Sequence, residues 1–161
     1  MIQDELARLA ADLGRRLVEA KAVVATAESC TGGLVAAAIT SIAGSSEWFD
    51  RGFVTYSNEA KTAQLGVPPD ILDTHGAVSE ATARLMAEGA LARSAATLTV
   101  SITGIAGPGG ATPGKPVGMV CLAWSKKGAS TTVVTRHFAG DRTQVREASV
   151  VAALEGLRSR I

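Results

Sequence analysis

The stretch Thr26-Ala27-Glu28-Ser29-Cys30-Thr31-Gly32-Gly33, residues 26–33, joins an apolar run to an alanine-rich segment. The run over residues 21–26 predicts a short buried strand, and residues 34–42 carry the small and apolar side chains of a buried helix. The quoted stretch is therefore predicted to be a strand-to-helix turn. The first backbone N–H groups of a helix at such a turn lack partners within the helix.

The side chains of this predicted turn allow more than one interpretation. Unpaired N–H groups and the helix dipole favour an anion or a developing oxyanion near the hydroxyls of Ser29 and Thr31, and Gly32 lets a ligand come close. A simpler interpretation is that one of these hydroxyls only caps the helix. Cys30 is a rival nucleophile, because a helix N-terminus lowers the pKa of a thiol, but it can equally be a small buried residue.

Composition narrows the class of protein. The chain has 161 residues, which suits one domain with its own core. Apolar residues make up 47% and aromatic residues only 4%, so the core must be aliphatic and stacking surfaces for bases are scarce. The net charge is +1 and no basic cluster occurs. These features disfavour nucleic acid as a partner and leave small ligands.

Metal sites, disulfides and membrane segments are not expected. Cys30 and Cys121 have neither a CxxC partner nor the spacing of metal ligands, and we expect no cofactor. The acidic start of the chain does not resemble a signal peptide, and no apolar run is long enough to span a bilayer. We therefore expect a soluble, cytoplasmic protein with no membrane partner.

Helix and strand patterns alternate along the chain. Leucines three and four residues apart predict an amphipathic helix over residues 2–20. Further strands are predicted at 52–56 and 97–102, and a hairpin is predicted from the β-rich runs 117–124 and 130–138. This pattern predicts a single α/β domain with helices on both faces of a mixed sheet.

A glycine-rich loop, residues 103–110, follows the third predicted strand. Gly109, Gly114 and Lys115 match the GxxxxGK spacing of a P-loop. However, Pro116 occupies the position of the magnesium-binding hydroxyl, and a strand follows instead of a helix. Backbone N–H groups of such a loop can cradle a phosphate. The residues alone leave a structural and a ligand-binding role open.

Lys61 is the candidate base for Ser29. It lies in a short predicted helix beyond the second strand, at the same predicted edge of the sheet as Ser29. A lysine accepts a proton only when neutral, so its pKa must fall from about 10.4 through burial or nearby cations. The alternative is a solvated lysine. His75 and His137 have no acidic residue at a suitable position and are interpreted as surface or edge residues.

Four separated motifs occur in one order: AESCTGG at 27–33, YSNEAK at 56–61, GAVS at 76–79 and TGIAGPGG at 103–110. With them the chain resembles the CinA C-terminal domain family from about Leu6 onward. The resemblance implies that residues 1–161 form a three-layer α/β/α domain, with a mixed, mostly parallel sheet closed by a late β-hairpin. It also implies the stand-alone form, without the molybdopterin-binding-like domain fused to many members. We further expect a homo-oligomer such as a dimer, although the residues show no interface.

The resemblance also implies an activity. Members look like amidohydrolases that convert nicotinamide mononucleotide into nicotinate mononucleotide and ammonia in pyridine-nucleotide recycling, through a serine–lysine pair and an acyl-enzyme. The family's nucleophile falls on Ser29 and its lysine on Lys61, with no metal. Its late arginine falls on Arg142, with Arg146 as the alternative. The implied substrate-binding residues are Cys30, Thr31, Gly32, Tyr56, Thr103, Gly104, Gly107 and Arg142.

The older competence- or damage-inducible label of the family suggests a second function. On this view the chain is a non-catalytic, nucleotide-binding accessory module linked to competence or the DNA-damage response. Ser29 and Lys61 favour the enzyme, because a module without catalysis has no chemical need for either residue. The expected partner is thus a small pyridine mononucleotide.

Overall fold

The computed structural model describes residues 2–161. Its strands are β1 Val24–Glu28, β2 Phe49–Val54, β3 Leu98–Gly104, β4 Met119–Lys126 and β5 Thr132–His137. Their order in the sheet is β2-β1-β3-β4-β5, and β1 lies between two parallel neighbours and is buried at every position. Strand β4 runs antiparallel to β3, and β5 antiparallel to β4, so four of the five strands share one direction.

The predicted mixed sheet and late hairpin are confirmed, and the hairpin of β4 and β5 completes one edge of an open sheet. The helices are α1 Ile2–Ala20, α2 Leu34–Thr40, α3 Asn58–Leu65, α4 Pro69–His75, α5 Glu80–Ala92 and α6 Arg142–Arg158, and a 3₁₀ turn spans Ser45–Glu47. Helices α1, α2 and α6 cover one face of the sheet, while α3, α4 and α5 cover the other, which confirms the three layers. No helix in residues 2–161 is long and apolar enough to cross a membrane.

Every strand differs from its predicted bounds by a few residues, and the first two strands differ most. The first does not start at Lys21, because this residue has a φ of +54° in the turn after α1 and cannot continue an extended strand. It starts at Val24 and includes Glu28. The second starts earlier than predicted and ends at Val54. As a result Glu28 is a strand residue, and residues 55 and 56 lie in the loop after β2.

Polar side chains of β3 are buried instead of facing solvent. Its apolar residues pack in the core with α1 and α6, while the hydroxyls on the other face donate to backbone carbonyls of α5 or the segment before it. Small hydroxyl side chains therefore let α5 approach the sheet with their polar atoms satisfied. The bonds are Thr99 to Ala87 at 2.7 Å, Ser101 to Ala83 at 2.6 Å and Thr103 to Ala77 at 2.8 Å.

Helix α5 also sets the position of α3. A Cβ at Gly89 would collide with the backbone oxygen of Leu65, the last residue of α3. Only glycine permits this close approach of the two backbones. Because α3 carries Lys61, the contact helps fix where that lysine meets the sheet.

Candidate active site

Lys61 and Ser29 meet at the carboxyl end of β1. Ser29 follows β1 directly, and Lys61 lies in the first turn of α3, whose N-cap is Ser57. The Lys61 Nζ atom is 2.9 Å from Ser29 Oγ. The Lys61 side chain is fully buried, so the alternative of a solvated lysine is wrong. The structure thus brings together the two residues predicted as nucleophile and base.

The surroundings of the Lys61 amine favour its neutral form. Besides Ser29 Oγ, its partners are the carbonyl oxygens of Thr55 at 2.9 Å and Tyr56 at 3.2 Å. No carboxylate in residues 2–161 forms an ion pair with it. Burial lowers the pKa of Lys61 from its ordinary value of 10.5. In the structure the amine donates to Ser29 Oγ and to both carbonyls, and loss of one proton would leave two N–H groups for the carbonyls and a lone pair for Ser29.

Helix α2 is capped by the carboxylate of Glu28. One oxygen accepts from the N–H groups of Gly33 at 3.2 Å and Val35 at 2.9 Å, and the other accepts from Ala36 at 3.0 Å. The prediction that Ser29 or Thr31 caps the helix is therefore wrong. The first N–H groups of α2 are also not free for a ligand, because the fully buried Glu28 already occupies them.

Two N–H groups of the turn remain available beside Ser29. Those of Cys30 and Thr31 donate to no other residue among 2–161, whereas the N–H of Gly32 donates to Ser29 O at 3.1 Å. Arg146 holds the carbonyl side of the same turn: its Nε donates to Cys30 O at 3.1 Å and its Nη2 to Thr31 O at 3.3 Å. These bonds hold the turn in place, and of its two unpaired N–H groups only that of Cys30 belongs to a residue at the cavity beside Ser29.

The Cys30 thiol does not have the lowered pKa that its position before a helix suggests. It is buried with the core residues of the α1 side of the sheet. Burial raises the pKa of the Cys30 thiol to about 11, outweighing the opposite influence of its own backbone N–H and of Arg146. The expectation of a lowered thiol pKa is therefore wrong. A neutral thiol is a poor nucleophile at pH 7.

A cavity of about 320 Å³ opens beside Ser29 and Lys61. Its walls include Ala77 and Val78, which precede α5, and residues of the glycine-rich loop. Thr31 and Gly32, which the resemblance implied for binding, do not line it. The implied residues that do line it are Cys30, Tyr56, Thr103, Gly104, Gly107 and Arg142.

The two arginines that the sequence left open have different positions. Arg142 is exposed at the cavity, where its Nη1 donates to Gly107 O at 2.8 Å and its Nη2 lies 3.4 Å from the Tyr56 hydroxyl. Arg146 lies behind the turn and does not line the cavity. Thr103 lines the cavity with its hydroxyl already donated to Ala77 O. Of the two arginines, Arg142 is therefore the one placed to meet a ligand.

Sequence reasoning missed two contributors to this site. Glu28 was placed outside the first strand, which hid the fact that it shares a strand face with Thr26 and points toward α2. Extending the predicted strand by two residues would have revealed it. Thr55 acts through its backbone carbonyl, which leaves no signal in the side-chain pattern.

The chain is similar both to proteins of about its own length and to much longer proteins. Residues 6–161 match the family model of the CinA C-terminal domain. The nicotinamide-nucleotide amidohydrolase PncC of Pseudomonas putida is 50% identical over 154 residues, which cover 96% of each chain. A putative competence-damage inducible protein of Symbiobacterium thermophilum is 53% identical over 154 residues, covering 91% of this chain but 36% of that protein. The chain thus spans about a third of some curated relatives and nearly all of others.

Solved structures support the same relationship. The crystal structure of the competence/damage inducible protein CihA from Agrobacterium tumefaciens superposes with a TM-score of 0.93 at 48% identity. The superposition covers 96% of this chain and 94% of that one. The predicted fold and the predicted resemblance are both confirmed. The chain belongs to the CinA C-terminal domain family.

Proposed function

We propose that this protein hydrolyses the carboxamide of nicotinamide mononucleotide, giving nicotinate mononucleotide and ammonia. The name and close similarity of the Pseudomonas putida relative support the reaction. The observation that carries the proposal is the distance of 2.9 Å between Ser29 Oγ and the buried Lys61 Nζ. A hydroxyl at that distance from a neutral amine is an activated nucleophile.

The first half of the reaction makes an acyl-enzyme. Ser29 Oγ bonds to the carboxamide carbon, and its proton passes to Lys61 Nζ. The carbonyls of Thr55 and Tyr56 hold the other N–H groups of the amine and so direct its lone pair at Ser29. The protonated Lys61 then gives its proton to the amide nitrogen, the C–N bond breaks and ammonia leaves.

The negative charge that develops on the carboxamide oxygen needs donors. The N–H of Cys30 is the available one, because Cys30 lines the cavity whereas Thr31 does not, and a donor of this kind contributes roughly 3–4 kcal/mol to transition-state stabilisation. Arg146 keeps the turn fixed through the carbonyls of Cys30 and Thr31. No reorganisation of this turn is then needed as the charge forms.

The second half of the reaction releases the product. Water loses a proton to Lys61 and attacks the ester carbon, and the Ser29–carbon bond breaks with return of that proton to Ser29 Oγ. The balance is one water consumed, and one carboxylic acid and one ammonia formed. A single base thus serves both halves.

Binding of the nucleotide part involves the outer cavity. Arg142 is the cation at its mouth, and phosphate is matched by a guanidinium and by backbone N–H groups. Among the loop residues, Ile105 has its N–H bound to Met119 O, and Pro108 has none, so the candidates include Ala106, Gly107, Gly109 and Gly110. We expect the nicotinamide ring near Ser29 and the phosphate near Arg142.

The proposal is tested by ammonia release from nicotinamide mononucleotide in EDTA. We expect Ser29→Ala and Lys61→Met each to lower kcat by at least about a thousandfold. Cys30→Ala removes the thiol, keeps the backbone N–H and should retain most of the activity. Circular dichroism of every variant separates lost chemistry from lost folding.

Other outcomes would lead to different conclusions. Activity that survives in Ser29→Ala rules out the serine mechanism. A wild-type protein that releases no ammonia but binds the nucleotide in calorimetry would instead support the accessory module. An ester between Ser29 and the nicotinoyl group, trapped by acid quenching and located by peptide mass spectrometry, would establish the acyl-enzyme directly.

A further inference from the structure

Two motifs of the sequence have no part in the proposed reaction: residues 76–79, and Lys115 of the incomplete P-loop spacing. The structure brings them together. Lys115 Nζ donates to the backbone oxygen of His75 at 2.5 Å. A Cβ at Gly76 would lie 2.9 Å from the same Nζ, so a glycine leaves room for the amine. The φ of +80° at Gly76 also favours glycine.

The segment that Lys115 contacts belongs to a firmly held wall of the cavity. Ala77 and Val78 line that wall. The oxygen of Gly76 accepts from Thr82 Oγ1 at 2.7 Å, and that of Ala77 accepts from Thr103 Oγ1 at 2.8 Å. These bonds fix the wall to α5 and β3.

The glycine-rich loop, which also lines the cavity, continues into residues 111–118, and this longer segment, residues 105–118, is fixed at its base but not at its tip. Backbone bonds between Ile105 and Met119 at 2.9 Å, and between Gly118 and Ile105 at 2.8 Å, hold the base. Thr112 and Lys115 close a turn at the tip through two backbone bonds of 3.0 and 2.9 Å. Within residues 2–161, the bond from Lys115 to His75 is the one hydrogen bond that joins residues 108–115 to another element.

We infer that Lys115 is a positioning residue, which clamps the tip of segment 105–118 to the cavity wall that begins after His75 and so fixes the width of the substrate cavity. The inference rests on the proposed function, because it takes the cavity beside Ser29 as the place of the substrate. His75 ends α4, and its carbonyl lacks a partner within the helix, so an ammonium is a suitable partner. Lys115 does not line the cavity, which means that it acts through the loop.

The clamp is tested first without substrate, by hydrogen exchange of the amides of residues 109–115. Lys115→Met keeps the apolar stem and removes the ammonium, and we expect about tenfold faster exchange in this segment. Lys115→Arg retains a cationic donor and should restore most of the protection. Lys127→Met, at an exposed lysine of the β4–β5 turn, is the matched control and should exchange like wild type.

Kinetics supply the second measurement. We expect Lys115→Met to raise KM for nicotinamide mononucleotide about tenfold, with kcat within about twofold of wild type, because Ser29 and Lys61 are untouched. Unchanged exchange in Lys115→Met overturns the clamp. A raised KM with unchanged exchange also overturns it, and would make Lys115 a direct ligand of the substrate.

Two further results have a defined meaning. Faster exchange that extends to β3 and α5 would show general loosening of the fold and would contradict a local clamp. Faster exchange confined to residues 109–115, in a protein that releases no ammonia, would support the clamp and refute the proposed amidase function alone.

Discussion

The carboxylate of Glu28 accepts a hydrogen bond of 2.9 Å from the backbone N–H of Val35, so the residue before the candidate nucleophile caps the helix that follows it. Two more N–H groups, of Gly33 and Ala36, bind the same fully buried carboxylate. The N–H groups at the helix N-terminus are therefore already paired within the protein. They hold the turn that carries Ser29, and we expect other amides to bind the substrate.

The first prediction concerns this cap. Glu28→Ala leaves three N–H groups without their acceptor and should lower the free energy of unfolding by about 3 kcal/mol, and lower kcat by more than about tenfold. Glu28→Gln should cost less, because its amide oxygen still accepts. Chemical denaturation and steady-state assays measure both effects. Glu59→Ala, at an exposed acidic residue of α3, is the control, and an equal effect there would refute the role of the cap.

The second prediction concerns the pH dependence of activity. The Lys61 pKa is lowered by burial, and the base must be neutral, so the rate should fall as the pH drops through that lowered pKa. A bound pyridinium cation would lower the pKa further. The acidic limb of kcat should therefore lie at lower pH than the acidic limb of kcat/KM. An acidic limb at the ordinary lysine pKa of 10.5 would contradict a buried neutral amine.

Lys61 should also make stability depend on pH. Between its lowered folded pKa and 10.5, the unfolded chain binds a proton that the folded protein does not. The free energy of unfolding due to this residue therefore rises with pH across that window. The stability of wild type relative to Lys61→Met should increase with pH and level off above about 10.5. Urea titrations at several pH values measure it, and a constant difference would count against the shifted pKa.

Cys30 should make the free energy of unfolding fall, instead of rise, as the pH increases above 9. Its folded pKa is raised to about 11 from an ordinary 9.0, so its contribution is present below pH 9 and is lost as the pH rises through 11. A pKa difference of this size between the folded and the unfolded protein corresponds to about 3 kcal/mol in the free energy of unfolding. Unfolding of wild type and Cys30→Ala across this range isolates the loss. Rapid alkylation of Cys30 by iodoacetamide at pH 7 in the folded protein would show instead that the thiol is ionised.

The two arginines should separate binding from catalysis. Arg142→Met removes the exposed cation at the cavity and should raise KM for the mononucleotide about tenfold, with little change in stability. Arg146→Met frees the carbonyls of Cys30 and Thr31 and should mainly lower kcat. Nicotinamide riboside, which lacks the phosphate, is the control substrate. If Arg142→Met raised KM equally for the riboside, Arg142 would not be the phosphate ligand.

Much of the fold was predictable because local patterns encode it. The leucine spacing in α1, the turn between β4 and β5 and the strand-to-helix turn at Ser29 are each confirmed. The error at the start of β1 arose because Lys21 leaves extended geometry in a turn that its apolar neighbours do not reveal. The hydroxyls of β3 gave an alternating pattern although both faces are buried. An alternating pattern shows which side chains are polar but not which are exposed, because a hydroxyl that donates to a helix carbonyl can be both polar and buried.

The order of residues is enough to predict that Ser29 follows the first strand, that Lys61 lies in the helix after the second, and that their motifs belong to one family. Local hydrogen bonding and side-chain patterns carry that information. Tertiary packing was needed to show that Lys61 is buried away from carboxylates, that Glu28 occupies the helix N-terminus and that Arg142, not Arg146, faces the cavity. Burial, desolvation and the direction of a charged side chain depend on packing between residues distant in the chain, which no local pattern contains.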